Sequence, residues 1–476
     1  MAGIGVRDAN GKGSYDLAVI GAGSAGFSAA ITAAEQGANV VLVGHGTIGG
    51  TCVNVGCVPS KTMIRAAEAL HAARAAGRFP GIAGEAQLAD WRRLIAAKDD
   101  LVETLRQKKY VDLLPEYDGI TYLEGRAQLN GAGVIVNDAP VAAGKIVIAT
   151  GGRPAVPSIP GIEKVNYLTS TSLLDLKDLP RSLIVVGGGY VGVELAQMMR
   201  RMGVDVTVVC RSRLLPQVEP DVSAALSEAF RSEGIGLHCG ITYDACREDE
   251  RGVTVCVEDG RRRHELKAER LLVATGRTPN TEALELADAG VAQDARGAII
   301  VDDRMRTSKA GVYAAGDVTD RDQFVYMAAY GARLAALNAL NGDSQTYDNS
   351  VMPWVVFTDP QVAGVGLTEA MARQRGFAVE TSVISLDQVP RALAARDARG
   401  LVKLVADADT GLLLGGQILA SEGADSIQTL VLALKHGMTV DALGETIFPY
   451  LTTVEALKLT AQGFRKDVAK LSCCAG

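Results

Sequence analysis

Two stretches of the chain carry paired cysteines. "GGTCVNVGCVPSK" (49–61) holds Cys52 and Cys57, with Lys61 four residues on, and "KLSCCAG" closes the chain with Cys473 beside Cys474. Thiolates are nucleophiles, soft-metal ligands and two-electron redox centres. Neighbouring Cα atoms stand about 3.8 Å apart, below the roughly 4.4–6.8 Å of unstrained disulfides. Cys473 and Cys474 are therefore not expected to bond each other. Cys52 and Cys57 lie about 140° apart on a regular helix, but Gly56 and Pro59 predict an irregular segment able to bring both sulfurs to one point. If the segment is helical, Lys61 shares a face with Cys57, and an ammonium there favours thiolate. Two inert buried cysteines, and an accidental pair on a frayed end, are the alternatives at this level.

Two repeated units surround these residues. "YDLAVIGAGSAGFSAAITAAEQGANVVLV" (15–43) predicts a strand, the turn Gly21-x-Gly23-x-x-Gly26, a helix and a second strand; "LIVVGGGYVGVELAQMMRRMGVDVTVV" (183–209) repeats the order with Gly187, Gly189 and Gly192. Such a turn sets a pyrophosphate on a helix N-terminus, with glycines letting the backbone approach it. Each unit is expected to hold a dinucleotide. The second strand then normally ends in an acid for the ribose. Here the second unit ends in Cys210-Arg211-Ser212-Arg213, and the forks of Arg211 and Arg213 suit a 2′-phosphate, so NADPH is expected over NADH. The first unit runs out into Gly44-His45. Its missing acid predicts weaker retention of the cofactor, to be tightened by Gly44→Glu. Three further strand–turn stretches, "IVIATGGRP" (146–154), "LLVATGRTPN" (271–280) and "GVYAAGDVTD" (311–320), read as crossings out of a nucleotide domain and, at Asp317, a carboxylate at a strand end.

With 476 residues the chain is long enough for about three domain-sized units. A net charge of −7 without charge runs argues against nucleic acid or an anionic membrane as main partner. No apolar run is long enough to span a membrane and the N-terminal residues lack a signal-peptide pattern, so a cytoplasmic protein is expected. Eight cysteines in such a chain are not a disulfide scaffold. His45, His71, His238, His264 and His436 show no metal-ligand spacing.

"GGTCVNVGCVPSK" closely resembles the active-site segment of the flavin-dependent disulfide reductases, the group containing glutathione reductase and dihydrolipoamide dehydrogenase, and the likeness runs from about residue 15 to the C-terminus. The resemblance implies an α/β fold of two Rossmann-like dinucleotide-binding domains plus a C-terminal α+β dimerisation domain, with FAD and NADPH as cofactors. It makes Cys57 the thiolate beside the flavin and Cys52 its outer partner. Lys61 would lie near the ring, paired with Glu194 of "GGGYVGVE". Ala25, Gly50, Thr51, Thr150, Gly151 and Gly276 join the glycines of the two loops as cofactor contacts, and Asp317 would hold the ribityl chain. The implied layout is a flexible tail (1–14), an FAD domain (15–152), an NADPH domain (153–277), a central segment completing the FAD site (278–348) and an interface domain (349–476).

One motif departs from that group. Its members end in His-Pro-Thr-x-x-Glu, contributed to the partner subunit's site, where the histidine protonates the leaving thiolate. Here "FPYLTTVEALKLTAQGF" keeps Thr452 and Glu455 but places Tyr450 at the histidine position. A phenol with an ordinary pKa of about 10 is a poor shuttle at neutral pH. The terminal dithiol, Tyr450 and Tyr190 together resemble the mercuric reductase branch of the family. That resemblance implies Hg(II), presented as thiol adducts, as the substrate of a homodimer. Cys473 and Cys474 would pass the ion to Cys52 and Cys57 of the opposite subunit, with Tyr190 and Tyr450 lining the site. A disulfide reductase, and a non-catalytic thiol protein that sequesters metal, are the alternatives.

Overall fold

The computed structural model describes residues 14–131 and 133–467. The expected N-terminal tail, Ser14 apart, and the Cys473–Cys474 pair lie outside the described residues.

The chain opens with β1 (Tyr15–Ile20), α1 (Ser24–Glu35) and β2 (Val40–Gly44), then α2 (Gly50–Val55) and α3 (Cys57–Arg74). β3 (Ile120–Glu124) and β4 (Ala143–Ile148) follow. The second unit comprises β5 (Ser182–Val186), α4 (Tyr190–Arg201), β6 (Asp205–Cys210), β7 (Gly236–Cys239) and β8 (Arg270–Val273). β9 (Val312–Ala314) then returns to the first unit, so that one parallel sheet runs β9-β4-β1-β2-β3 and the other β7-β6-β5-β8. Strands such as Leu17–Ile20 and Leu183–Val186 are apolar throughout because both faces of a parallel sheet are covered.

α5 (Val325–Asn341) lies against α1. Both helices bury small side chains, Ala29, Ala30 and Ala33 from one and Ala328, Ala332, Ala335 and Ala336 from the other, within one core that also holds Leu17 and Leu42. Helices meeting through alanine pack closely. The C-terminal unit is an antiparallel sheet built from β10 (Trp354–Val356), β11 (Gln361–Gly366), β12 (Val379–Ser385), β13 (Leu401–Asp407) and β14 (Leu413–Ala420), ordered β10-β11-β14-β13-β12. Helices α6 (Gly423–Lys435) and α7 (Glu455–Gln462) share its core. Among the described residues no helix is long and apolar enough to cross a membrane.

Two buried ion clusters clamp the second nucleotide unit to this sheet. Arg201 of α4 reaches Glu233 at 2.7 Å and Asp359 at 2.8 Å, while Arg399 adds contacts to the same two carboxylates. Lys403 of β13 sits 3.0 Å from both Glu219 and Glu369. A buried pair contributes little net energy when complete, but losing one partner strands a charge. Arg201→Met is thus expected to destabilise the protein by about 3–5 kcal/mol, read as a lower denaturation midpoint. Glu228→Ala, which removes only the exposed partner of Arg231, should leave the midpoint unmoved.

Candidate active site

The redox segment is stitched to the first glycine loop. The Gly49 amide donates to Ala22 O at 2.8 Å, and a Cβ on Gly50 would sit 2.6 Å from Gly23 Cα. Gly49 and Gly50 both have left-handed φ, +96° and +65°, which glycine adopts without steric cost. α2 starts there and carries Cys52. Gly56, at φ −122° and ψ −113°, then breaks the helix, and Cys57 opens α3. Pro59 fits the first turn of α3, where its missing amide hydrogen would have no partner anyway. The break replaces the 140° separation of a continuous helix and brings the two thiols close enough to govern each other's ionisation.

Charge is distributed unequally over the pair. Cys57 is lowered to about 7, first by the hydrogen bond from Cys52, against the opposing effect of burial, with Lys61 helping. Its place at the N-terminus of α3 acts in the same sense. Cys52, which supplies that hydrogen and is itself partly buried, is pushed up. Lys61 Nζ is 2.6 Å from Glu194 Oε2, and Glu194 Oε1 accepts the Phe357 amide at 2.9 Å. The ammonium also lies 4.9 Å from the centre of the Phe357 ring, a cation–π distance.

The two glycine loops are built alike. A Cβ on Gly21 would lie 2.2 Å from Ala149 O, and one on Gly187 2.2 Å from Ala274 O; Gly26 and Gly192 press in turn on Gly21 O and Gly187 O. Gly23 and Gly189 cap α1 and α4 with no side-chain hydrogen bond, and nothing stands within 4 Å of a Cβ at Gly189. The second loop therefore bares a helix N-terminus beside open space, the cradle a pyrophosphate requires, while at the first loop a Cβ on Gly23 would stand 3.5 Å from Gly50 Cα. Gly151 and Gly276, at φ +68° and +110°, are likewise open.

Other expected contacts are partly occupied by protein. Thr150 Oγ1 donates to Asn280 O at 2.7 Å, and Asp317 Oδ2 takes Arg277 Nε at 2.7 Å, which leaves Oδ1 of Asp317 for a ligand. Arg211 is exposed, but Arg213 spends Nη2 on Pro216 O and Val218 O, at 2.8 and 2.7 Å. Arg213 thus holds its own loop through one nitrogen, and both arginines are exposed. Gly44 is closely packed. A Cβ there would meet the Tyr122 hydroxyl at 2.4 Å and Ala22 Cβ at 2.8 Å. The space a side chain at this position would need is therefore taken by the Tyr122 ring and Ala22. Ala25 is buried and Thr51 exposed.

Tyr190 opens α4 within a row of rings, 5.8 Å from both Trp354 and Phe324, and burial raises its pKa. Tyr450 is half exposed on the turn before α7, whose Glu455 is buried and accepts the Leu451 amide at 3.0 Å. The carboxylate thus shapes the turn that carries Tyr450. Sequence reasoning missed Phe357, Arg277 and Tyr122, along with Asn54, held by Arg106 at 3.1 Å, and Tyr110, 3.3 Å from Ser24 Oγ. These are single residues in ordinary strands, helices or turns, joined to the site only by the fold. Among the described residues no group of three or more His, Cys, Asp or Glu side chains could hold a metal ion.

Residues 15–336 match the family model described as "Pyridine nucleotide-disulphide oxidoreductase", and residues 352–461 match its dimerisation domain. The chain is 47% identical over 468 residues to a "Mercuric reductase" of Streptomyces lividans, covering 97% of this chain and 98% of the relative. It is 46% identical to one of Bacillus cereus, covering 98% and 74%. Among solved structures, the HOCl-induced flavoprotein disulfide reductase RclA from Escherichia coli superposes with a TM-score of 0.82 at 30% identity, over 94% of this chain and 99% of that one.

The site's electrostatics predict that Lys61→Met raises the Cys57 midpoint, about 7 in the parent, by at least about one pH unit, read from thiolate absorbance of the reduced protein. Gly44→Glu should lower flavin content per chain, and pairing it with Tyr122→Ala should recover part of that loss, since Ala22 Cβ still crowds the position. Both are checked by flavin absorbance after gel filtration.

Proposed function

The chain belongs to the pyridine nucleotide-disulphide oxidoreductase family, and from that premise we propose that it reduces Hg(II) to Hg(0) with electrons from NADPH, through FAD and the Cys52–Cys57 pair. The observation that carries the reading is the asymmetric dithiol beside the Lys61–Glu194 pair, in a chain matched along nearly its whole length by proteins named mercuric reductase. Bound FAD supplies the electron pair, drawn from NADPH, that the ion requires. Residues 15–152 and 278–348 are assigned to FAD, 153–277 to NADPH and 349–476 to the subunit interface. The protein is assigned to the cytoplasm.

The chain's own residues perform the rest. Cys57, lowered toward neutral pH, attacks Hg(II) held by Cys473 and Cys474 of the partner subunit, which have taken it from its small-thiol adduct, and displaces one of those thiolates. Cys52 then binds the ion, its proton passes to a departing thiolate, and both tail cysteines are free. Lys61 holds positive charge at the reduced site, where it offsets the added electrons, and Glu194 fixes its direction. Once the ion is neutral it no longer holds thiolates, and both sulfurs are released. Tyr190 and Tyr450 line the ion's path, and Glu455 positions Tyr450.

The ion reaches that path from Cys473 and Cys474 of the partner subunit in a homodimer. An interface near Tyr450 is supported by the matched dimerisation domain and by apolar side chains that one chain leaves uncovered there, Ile447 at 93% exposure with Leu451 beside it. Such a patch on a single protomer marks a contact surface. Handing the ion from thiol to thiol avoids releasing it free.

The test mixes protein, NADPH and Hg(II) with excess thiol and follows NADPH oxidation and volatile mercury together. Stoichiometric release of Hg(0) per NADPH is expected, and oxidation at the same pace without mercury refutes the reading. Replacing Cys473 and Cys474 by alanine should preserve flavin reduction by NADPH while slowing turnover on bulky adducts by about tenfold or more.

A further inference from the structure

Cys210 and Cys239 form a second thiol pair that the reaction does not use. They end the neighbouring parallel strands β6 and β7 in direct register, with the sulfurs 3.3 Å apart. Adjacent strands run about 4.7–4.9 Å apart, inside the roughly 4.4–6.8 Å range of Cα separations that a disulfide accepts. Cys210 is buried and Cys239 partly exposed, so Cys239 is the more accessible residue of the two. The pair also touches the second glycine loop. A Cβ on Gly188 would lie 3.1 Å from Cys210 Sγ, and Cys210 Sγ is itself 3.4 Å from Ser212 O. The Gly240 amide, next to Cys239, donates to that same Ser212 O at 2.8 Å.

We propose that Cys210 and Cys239 are a thiol-modification site, closed to a disulfide by small-molecule disulfides, which weakens NADPH binding by moving the Arg211–Arg213 loop. The effect on NADPH rests on the reading of residues 187–213 as its site. Cys239 Sγ attacks a small disulfide RSSR, forming the mixed disulfide and releasing RS⁻. Cys210 gives its proton to that thiolate, and its sulfur attacks Cys239 Sγ and expels the second RS⁻. Two protein thiols are oxidised and one small disulfide is reduced to two thiols. The surroundings favour this order. The Cys210 hydrogen bond, aided by Arg231 and opposed by burial, lowers Cys239 to about 7, while Cys210 is pushed up. Tyr243 and Arg211 complete the titratable and charged surroundings. Closing the sulfurs to about 2.05 Å draws Cys210 Sγ off Ser212 O, at the first turn of the loop that carries Arg211.

The holoenzyme is incubated with glutathione disulfide, then treated with NADPH, which reduces the flavin-linked Cys52–Cys57 pair. A peptide linking Cys210 to Cys239 is expected in non-reducing mass spectrometry. The NADPH concentration for half-maximal flavin reduction should rise about fivefold, and dithiothreitol should reverse both. Cys239→Ser should show neither change while keeping the unoxidised parent's value. Free, alkylatable Cys210 and Cys239 after exhaustive oxidation would overturn the site, and a linked peptide with unchanged NADPH dependence would overturn its control of binding. Neither readout involves mercury, so failure of the Hg(II) reading leaves both outcomes intact.

Discussion

The Lys61–Glu194 pair is the interaction on which the site depends. Lys61 comes from the helix opened by Cys57, Glu194 from the helix of the second glycine loop, and Phe357, which touches both, from the stretch after the first strand of the C-terminal sheet. Three units of the fold must therefore be docked before the cation is held in place. Its direct worth is modest, because the lysine side chain remains one-third exposed and water screens it. What it fixes is direction. A buried carboxylate already held by a backbone amide leaves the ammonium one well-defined place to go, and the buried ion cluster around Arg201, farther along the same helix, keeps that helix seated on the sheet.

The nucleotide units were legible because their signals are local. Glycines at fixed spacing between apolar strands have one good use, and the backbone contacts at Gly21 and Gly187 show the same constraint met twice. The redox segment was legible for a related reason: Gly56 supplies the break between two helices within the segment itself. By contrast, the arginine pair was only half readable. Side-chain type declares what Arg213 could bind, while its carbonyl partners at Pro216 and Val218 depend on how the loop turns back. Asp317 is similar, since its partner Arg277 lies forty residues away in sequence and meets it only through the crossing of two strands.

Cysteine was the residue type most unevenly read. Cys52 and Cys57 announce themselves by spacing and flanking glycines, whereas Cys210 and Cys239 are twenty-nine positions apart and become neighbours only through parallel strand register. Both pairs nevertheless show the same division: one sulfur made more acidic by the hydrogen bond of a less acidic partner. The difference lies in what surrounds them. The first pair faces an ammonium and the first phosphate cradle; the second sits behind the phosphate loop of the other unit.

The packing of Tyr122 against Gly44 couples neighbouring positions. Any side chain at position 44 collides with the ring and with Ala22, and removing the ring alone leaves a hole beside the strand. The end of this strand therefore accepts a larger residue only when its neighbours change with it, so the three positions behave as a single unit of packing.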